Sequence, residues 1–422
     1  MATTPTIVVG RNNWGIKNGN LLGYYQSDDG FFVKREFAAT RGGGTNGTFV
    51  GSNGLIQTAA SGNLPRIDFT GGSPALLVEP AATNSIRNNT MVGAVAGTPG
   101  TLPTNYVEQL SGGFSRQVVG TGTENGVSYV DIRISGTQSN STPTDIRFES
   151  ATQIAASNTQ NWTESVYLKI VAAPNPPTDY RLYMLERTSG GVFVTSANQA
   201  VLVTTTLTRF SFSRALNGGA TVAAIQPAIF FTTSNGSTYD FTIRIGLPQM
   251  ELGSVATSVI PTTTSGLTRN ADVINLTGAT DYIGQTEGTI YWEGAINRYD
   301  RVFFALASGS STTQCVRLQT TGAGTMQFIV VSGTIQANIA TSGAITLGQF
   351  YKAAVAYKEN DFVFFLNGAQ VGVTDTSGTL PTNLNSVYLL NSNGTEITDQ
   401  QCRTAAVYNK RLSNQELIEI TS

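Results

Sequence analysis

The sequence predicts an all-β fold: tandem antiparallel β-sandwiches of jelly-roll type after a Gly/Asn-rich N-terminal β region. Three observations predict it. First, apolar and polar residues alternate. Val130, Ile132 and Ile134 interleave with Tyr129, Asp131 and Arg133, and Tyr239, Phe241, Ile243 and Ile245 interleave with Asp240, Thr242 and Arg244. A period of two with one apolar face is the pattern of antiparallel strands covered on one side. Second, turn clusters such as Gly218-Gly219 and Ser234-Asn235-Gly236 cut the runs short. Third, charged residues make up 12% of the chain, about half the ~25% usual for soluble domains. With 40% hydrophobic residues, 20 Phe and 15 Tyr spread through the alternating runs, the chain is nevertheless rich enough to fold.

At 422 residues the chain is too long for one core, and its length fits about three domains. We read 1–85 as a Gly/Asn-rich N-terminal β region, 86–262 as one sandwich and 267–422 as a second. In 1–85, strand-like pieces at Thr6–Val9, Phe31–Phe37 and Pro74–Glu79 stand among Gly and Asn. Arg41-Gly42-Gly43-Gly44 lacks the Lys-Ser/Thr of a phosphate-binding loop and reads as a turn. Asp28-Asp29-Gly30 lacks the alternating ligands and closing Glu of a calcium loop and reads as an acidic turn. In 86–262, Trp162, Val166, Leu168 and Ile170 share one face of a strand, with Ser165, Tyr167 and Lys169 on the other. Thr262-Thr263-Thr264-Ser265-Gly266, without charge or bulk, is the seam. Beyond it, Ile290, Trp292 and Ile296 point one way, and Tyr291 and Glu293 the other. Phe362, Phe364 and Leu366 run into Asn367-Gly368, a hairpin turn toward Val371 and Val373. Ser413 and Glu416 have capping-box spacing, with Leu412 and Leu417 at staple positions, so a short helix ends the chain.

The composition excludes several functions. Net charge is -2, from 25 basic and 27 acidic residues. No Lys/Arg run is present to neutralise phosphates, so nucleic acid is not an expected partner. No apolar run approaches the ~20 residues of a spanning helix, so membrane insertion is not expected. Met1-Ala2-Thr3-Thr4-Pro5 lacks the basic-then-apolar order of a signal peptide. The absence of histidine removes Ser-His-Asp and Cys-His triads and histidine zinc sites. Cys315 and Cys402 are too few for a four-cysteine zinc site and are expected as buried free thiols, although pairing stays open if their strands are adjacent.

No catalytic constellation is visible, because no spacing brings together the two carboxylates a glycosidase needs. Sugar binding needs aromatic rings beside Asp, Asn, Arg or Gln. Tyr129, Asp131, Arg133, Tyr167, Lys169 and Arg244 offer that mixture on the polar faces of the middle domain. The same six fit a solvated sheet face with aromatics at its rim. Trp162 and Trp292 read as core, whereas Trp14 fits an interface anchor or a side chain folded back onto the chain.

Several motifs resemble one family. Gln249-Met250-Glu251-Leu252-Gly253-Ser254-Val255-Ala256-Thr257-Ser258-Val259-Ile260-Pro261-Thr262 resembles the run that closes a carbohydrate-binding-like jelly roll in bacteriophage tail and head fibre-type proteins. Pro65-Arg66-Ile67-Asp68-Phe69, Leu76-Leu77-Val78-Glu79-Pro80-Ala81-Ala82-Thr83-Asn84 and the strand Trp162 to Lys169 are similar to further parts of that pattern. Phe37-Ala38-Ala39-Thr40-Arg41-Gly42-Gly43 departs from it. Leu366-Asn367-Gly368 and the run Ala406 to Leu417 resemble a laminin-G or concanavalin A-like domain. The resemblance implies a non-enzymatic virion protein, a tail fibre or similar appendage, that binds host surface glycans and contacts other capsid or tail proteins. It also implies that 1–85 is a virion-attachment or oligomerisation region, whose Gly/Asn-rich strands would not hold a core alone and would be buried in a homo-oligomer, with a trimer favoured. It leaves calcium open as a cofactor with no assignable ligands. A capsid-decorating head fibre or tail scaffold with a purely structural role is the alternative, and a polysaccharide depolymerase is the third reading.

Overall fold

The computed structural model describes residues 4–11, 13–27, 30–42, 47–59, 63–389 and 399–422. Among them the all-β expectation holds: strands dominate, and the single α-helix is Asn414–Thr421. Asp28 and Asp29 of the expected acidic turn, and Gly43 and Gly44 of the glycine-rich spot, lie outside the described residues.

The division of the chain differs from the expected one. Met1–Ala81 and Asn270–Ser422 form one compact unit, and Ala82–Arg269 forms the other. The N-terminal region is therefore not a body of its own. Ile7–Gly10 pairs with Gln400–Tyr408, from Ile7 against Val407 to Gly10 against Thr404. Ala75–Val78 pairs with the start of the same strand, and the end of Gly30–Arg41 pairs with Asp272–Thr277. Ile7, Val8 and Val9 are each at most 1% exposed within this single chain. Trimerisation is thus not needed to bury these strands, which was the ground for expecting it.

In the discontinuous unit two sheets face each other. One runs Asn20–Ser27, Ile7–Gly10, Gln400–Tyr408, Glu287–Ile296, Phe350–Lys358, Asp361–Leu366, Ala369–Asp375. The other runs Asp272–Thr277, Ser386–Tyr388, Val302–Ala307, Gln314–Thr320, Met326–Ser332, Thr334–Ala340. Gly30–Arg41 joins both sheets, pairing first with Asn20–Ser27 and then with Asp272–Thr277. Ile290, Trp292, Ile296, Val355 and Tyr357 fill the space between the sheets together with Phe303 and Phe328. The alternate residues Tyr291, Ala354 and Ala356 form a second apolar layer on the outer face, covered by Leu412 and Leu417. The helix that supplies Leu417 starts at the expected capping box: Ser413 Oγ accepts from Glu416 N at 3.3 Å, and Glu416 Oε2 accepts from Ser413 N at 2.7 Å. Asn367 and Gly368 have φ of 49° and 80°, the left-handed pair that a two-residue hairpin requires. Cys315 and Cys402 are free and buried.

A buried ion cluster ties the N-terminal segment into this unit. Arg41 and Arg66 both reach Asp272, with Arg41 Nη2 at 2.7 Å from Oδ1. Arg66 Nη1 also lies 2.6 Å from Glu79 Oε2. Arg66 and Glu79 belong to the family-like motifs and here hold the fold.

Ala82–Arg269 is a jelly roll of two sheets. The five-stranded sheet has the order Phe114–Glu124, Val127–Thr137, Thr238–Leu252, Asn161–Asn175, Thr208–Ala215. The six-stranded sheet has the order Val107–Gln109, Thr144–Arg147, Ala224–Phe231, Tyr180–Arg187, Phe193–Val201, with Ile154–Ala155 beside Ala224–Phe231. Ile132, Trp162, Val166 and Ile243 from the first sheet meet Ile146, Leu182, Met184 and Ile229 from the second. Ala82–Asn84 and Leu267–Arg269, where the chain enters and leaves, pair with each other. The seam expected at 262–266 therefore lies inside this unit.

Candidate functional site

The most family-like segment is occupied by closing the jelly roll. Gln249 Oε1 accepts from Ile260 N at 2.8 Å. Glu251 accepts from Thr257 N at 3.0 Å and from the Thr257 hydroxyl at 2.6 Å. Thr262 N donates to Asn89 Oδ1 at 2.7 Å, and its hydroxyl donates to the Ile86 carbonyl at 2.7 Å. Asn84 donates to the Ile260 carbonyl and accepts from Met250 N, each at 3.1 Å. These side chains satisfy buried backbone groups that no strand partner reaches. Burial pushes the Glu251 carboxyl above its ordinary pKa, with Gln249 and Thr257 opposing the rise.

The six residues expected to contact sugar do share the outer face of the five-stranded sheet, but they are engaged with one another and with neighbouring charges. Asp131, Arg244 and Lys169 stand in one cross-strand row. Arg244 forks onto Asp131 with two bonds of 2.8 Å. Glu124 accepts from Lys169 at 2.8 Å and also from Arg244. The Arg244 guanidinium lies 3.4 Å from the centroid of the Tyr129 ring and covers the face a sugar would use. Arg133 forks onto Asp240 at 2.7 and 2.8 Å. Tyr167 has the Arg209 guanidinium 5.9 Å from its centroid. The hydrogen bond from Lys169 is the main cause holding the Glu124 carboxyl below its usual range. This is a cross-strand charge lattice on a wet sheet face, with little free capacity for hydroxyl groups.

The opposite sheet carries a cleft of about 260 Å³ on its outer face, whose lining includes Gln109, Asp145, Arg147, Tyr183, Leu185, Arg187 and Phe193. Alternation builds it: Leu182 and Met184 enter the core, so Tyr183, Leu185 and Arg187 face out, as do Asp145 and Arg147 around Ile146. Phe193 is 51% exposed, and the Tyr183 ring leans on Phe230 at a centroid distance of 5.4 Å. Arg147 forks onto Asp145 at 2.7 and 3.2 Å and also donates to Gln109. Arg187 donates to Gln226 Oε1 from Nε at 3.1 Å and from Nη2 at 2.7 Å, and its guanidinium lies 5.7 Å from the Phe193 centroid. Burial raises the Asp145 pKa against the opposing effect of Arg147. Burial, with Arg147 nearby, lowers that of Arg187. The arrangement joins aromatic surface to fixed donors and acceptors, the combination that binds a sugar ring.

Sequence reasoning missed these residues. The run Tyr180-Arg181-Leu182-Tyr183-Met184-Leu185-Glu186-Arg187 carries part of the signal, with Arg181, Tyr183 and Arg187 on one parity and Leu182 and Met184 on the other, but Leu185 and Glu186 break the alternation. Asp145 and Arg147 lie on a strand of four residues, Thr144–Arg147, too short to show a period.

A second cavity, of about 410 Å³, lies on the discontinuous unit, with Arg11, Tyr291, Glu293, Lys352, Tyr408 and Glu419 among its lining. The Tyr291 hydroxyl donates to Glu293 at 3.3 Å, and Arg403 stands 4.0 Å from the same carboxylate. Trp14 packs on the core of its own unit, the folded-back alternative. Among the described residues no group of three or more His, Cys, Asp or Glu is placed to hold a metal ion.

Residues 290–418 match the family described as the concanavalin A-like lectin/glucanases superfamily. The sequence matches no curated protein. Similar solved structures include the Ruminococcus gnavus IT-sialidase CBM40 bound to alpha2,3 sialyllactose, at 15% identity over 33% of this chain and 84% of that one, with a TM-score of 0.29. Domain 4 of AbnA, a GH43 extracellular arabinanase from Geobacillus stearothermophilus, in complex with arabinotriose, shares 13% identity over 36% of this chain and 73% of that one, with a TM-score of 0.31. Domains LG4-5 of the mouse laminin alpha1 chain share 10% identity over 61% and 88%, with a TM-score of 0.23.

Proposed function

We propose that this protein binds carbohydrate, without catalysing its cleavage, in the cleft on the six-stranded sheet of the 82–269 unit. The observation that carries the reading is the meeting of Tyr183 and Phe193 with Gln109, Asp145, Arg147 and Arg187 in one concave site. The match of residues 290–418 to a lectin and glucanase superfamily adds support from the other unit. A glycan array probed with the purified chain tests it: saturable binding to a defined glycan class is expected, and uniform absence of binding contradicts it. Chain shortening of a host polysaccharide would favour a depolymerase instead.

The finer reading is a bacteriophage tail fibre or similar appendage that attaches to host glycans and contacts other virion proteins, as a trimer and without a required cofactor. Its support is the motif likeness at 65–84 and 249–262. Immunogold labelling of particles from an infected host tests it, with label at the tail tip expected. A purely structural role, in a head fibre or tail scaffold, is the second reading. It is favoured by one observation: Gln249, Glu251, Thr257 and Thr262 of the family-like run are all committed to closing the fold.

A further inference from the structure

Resting on the carbohydrate-binding reading, we infer that the cleft selects an acidic sugar and that Arg187 receives its carboxylate. Arg187 is 8% exposed, so most of its side chain is withdrawn from water while the guanidinium borders the cleft. A buried charge normally has an ionic partner. Its two neighbours on the same sheet face have one: Arg147 pairs with Asp145, and Arg181 pairs with Asp179 at 2.8 Å. Arg187 has no ion pair among the described residues. Its hydrogen bonds run from Nε and Nη2 to the neutral amide of Gln226, which is itself anchored by donating to the Glu149 carbonyl at 2.7 Å. That anchoring fixes the plane of the guanidinium and leaves Nη1 without an acceptor among the described residues. The cleft thus holds two arginines against one aspartate, and both Asp145 oxygens are engaged by Arg147.

A planar guanidinium held on one edge is suited to a carboxylate, and the partly dry site strengthens that bond. Phe193 lies over the guanidinium and Tyr183 lines the same cleft, so an acid carried on a sugar ring would find its charge and its apolar face met together. The volume of about 260 Å³ is below the ~300–1,000 Å³ of sites for drug-sized ligands. It suits one sugar residue, a terminal or branching acid, rather than a bound chain.

The test is calorimetric titration of the full chain with uronic-acid-terminated and sialic-acid-terminated oligosaccharides. Each is paired with its carboxyl methyl ester, and neutral and sulfated oligosaccharides complete the set. The free acid of at least one pair is expected to bind at least about tenfold tighter than its ester. That ratio should fall to about one in Arg187→Gln and persist in Arg133→Gln, on the opposite sheet. If Arg187→Gln does not fold, Arg187→Lys and a salt series decide. Salt should weaken the acid and spare the ester, and Lys should retain the sign of the preference. Equal affinity for acid and ester, with binding lost in Tyr183→Ala, overturns the acidic-sugar assignment and leaves the carbohydrate reading standing. Preference for sulfated or neutral glycans also overturns the assignment. No binding of any glycan overturns both.

Discussion

Two buried charge sites behave in opposite ways. Glu164 points into the jelly-roll core on the same side of its strand as Trp162 and Val166 and is fully buried. Neither carboxyl oxygen has a hydrogen-bond partner among the described residues. Burial pushes its pKa well above 4.5, and the backbone at Tyr183 and Ala228 is close enough to offset part of the rise without reaching hydrogen-bond geometry. The folded state therefore keeps a proton that the unfolded chain loses. This contribution to stability is complete below the unfolded pKa and declines as pH rises toward the folded one, by at most about 1.4 kcal/mol per pH unit. Glu164→Gln should match the wild type near about pH 4 and exceed it near about pH 8 in urea unfolding, and a difference that does not change with pH would contradict this. The Arg41–Asp272–Arg66–Glu79 cluster is the reverse case, because its charges are mutually compensated. Asp272→Asn leaves two buried arginines short of charge, and a loss of about 3–5 kcal/mol is expected in the same assay.

Individual elements were the most legible part of the sequence. The Asn367-Gly368 hairpin and the Ser413 capping box depend on local chemistry, and both stand where the residues place them. Ser413→Ala should cost about 1 kcal/mol, read by denaturant titration. Leu417→Ala should cost about 2–5 kcal/mol, because Leu417 covers the outer apolar layer with Tyr291 and Tyr408. The site was less legible for a physical reason. Alternation identifies which side chains leave the core but not whether their neighbours in space neutralise them. Alternation puts Tyr129, Asp131, Arg133, Tyr167, Lys169 and Arg244 on polar faces, but it does not show that those faces are one, nor that Glu124 and Asp240 from neighbouring strands engage Arg244 and Arg133 there. Asp145, Arg147 and Arg187 meet only through the order of the six-stranded sheet, which no short-range pattern encodes.

At the scale of the whole chain, the jelly roll is inserted in sequence between the two parts of the other unit. Long-range pairings such as Ile7 with Val407 leave no local pattern in the sequence. Residues 82–269 should fold alone, since both of their sheets and their entry and exit strands are internal. Residues 270–422 should not, because Gln400–Tyr408 would lose the strands Ile7–Gly10 and Ala75–Val78 along one edge. Amide chemical-shift dispersion of the two fragments checks this, and a well-dispersed 270–422 spectrum would refute it. The central claim is that one sheet face binds sugar and the other does not. Its most direct measurement is the affinity of the full chain for its best array glycan in Tyr183→Ala and in Tyr129→Phe. A loss of at least about tenfold in Tyr183→Ala, with Tyr129→Phe unchanged, is the predicted result. Unchanged binding in Tyr183→Ala, or loss only in Tyr129→Phe, would contradict the account.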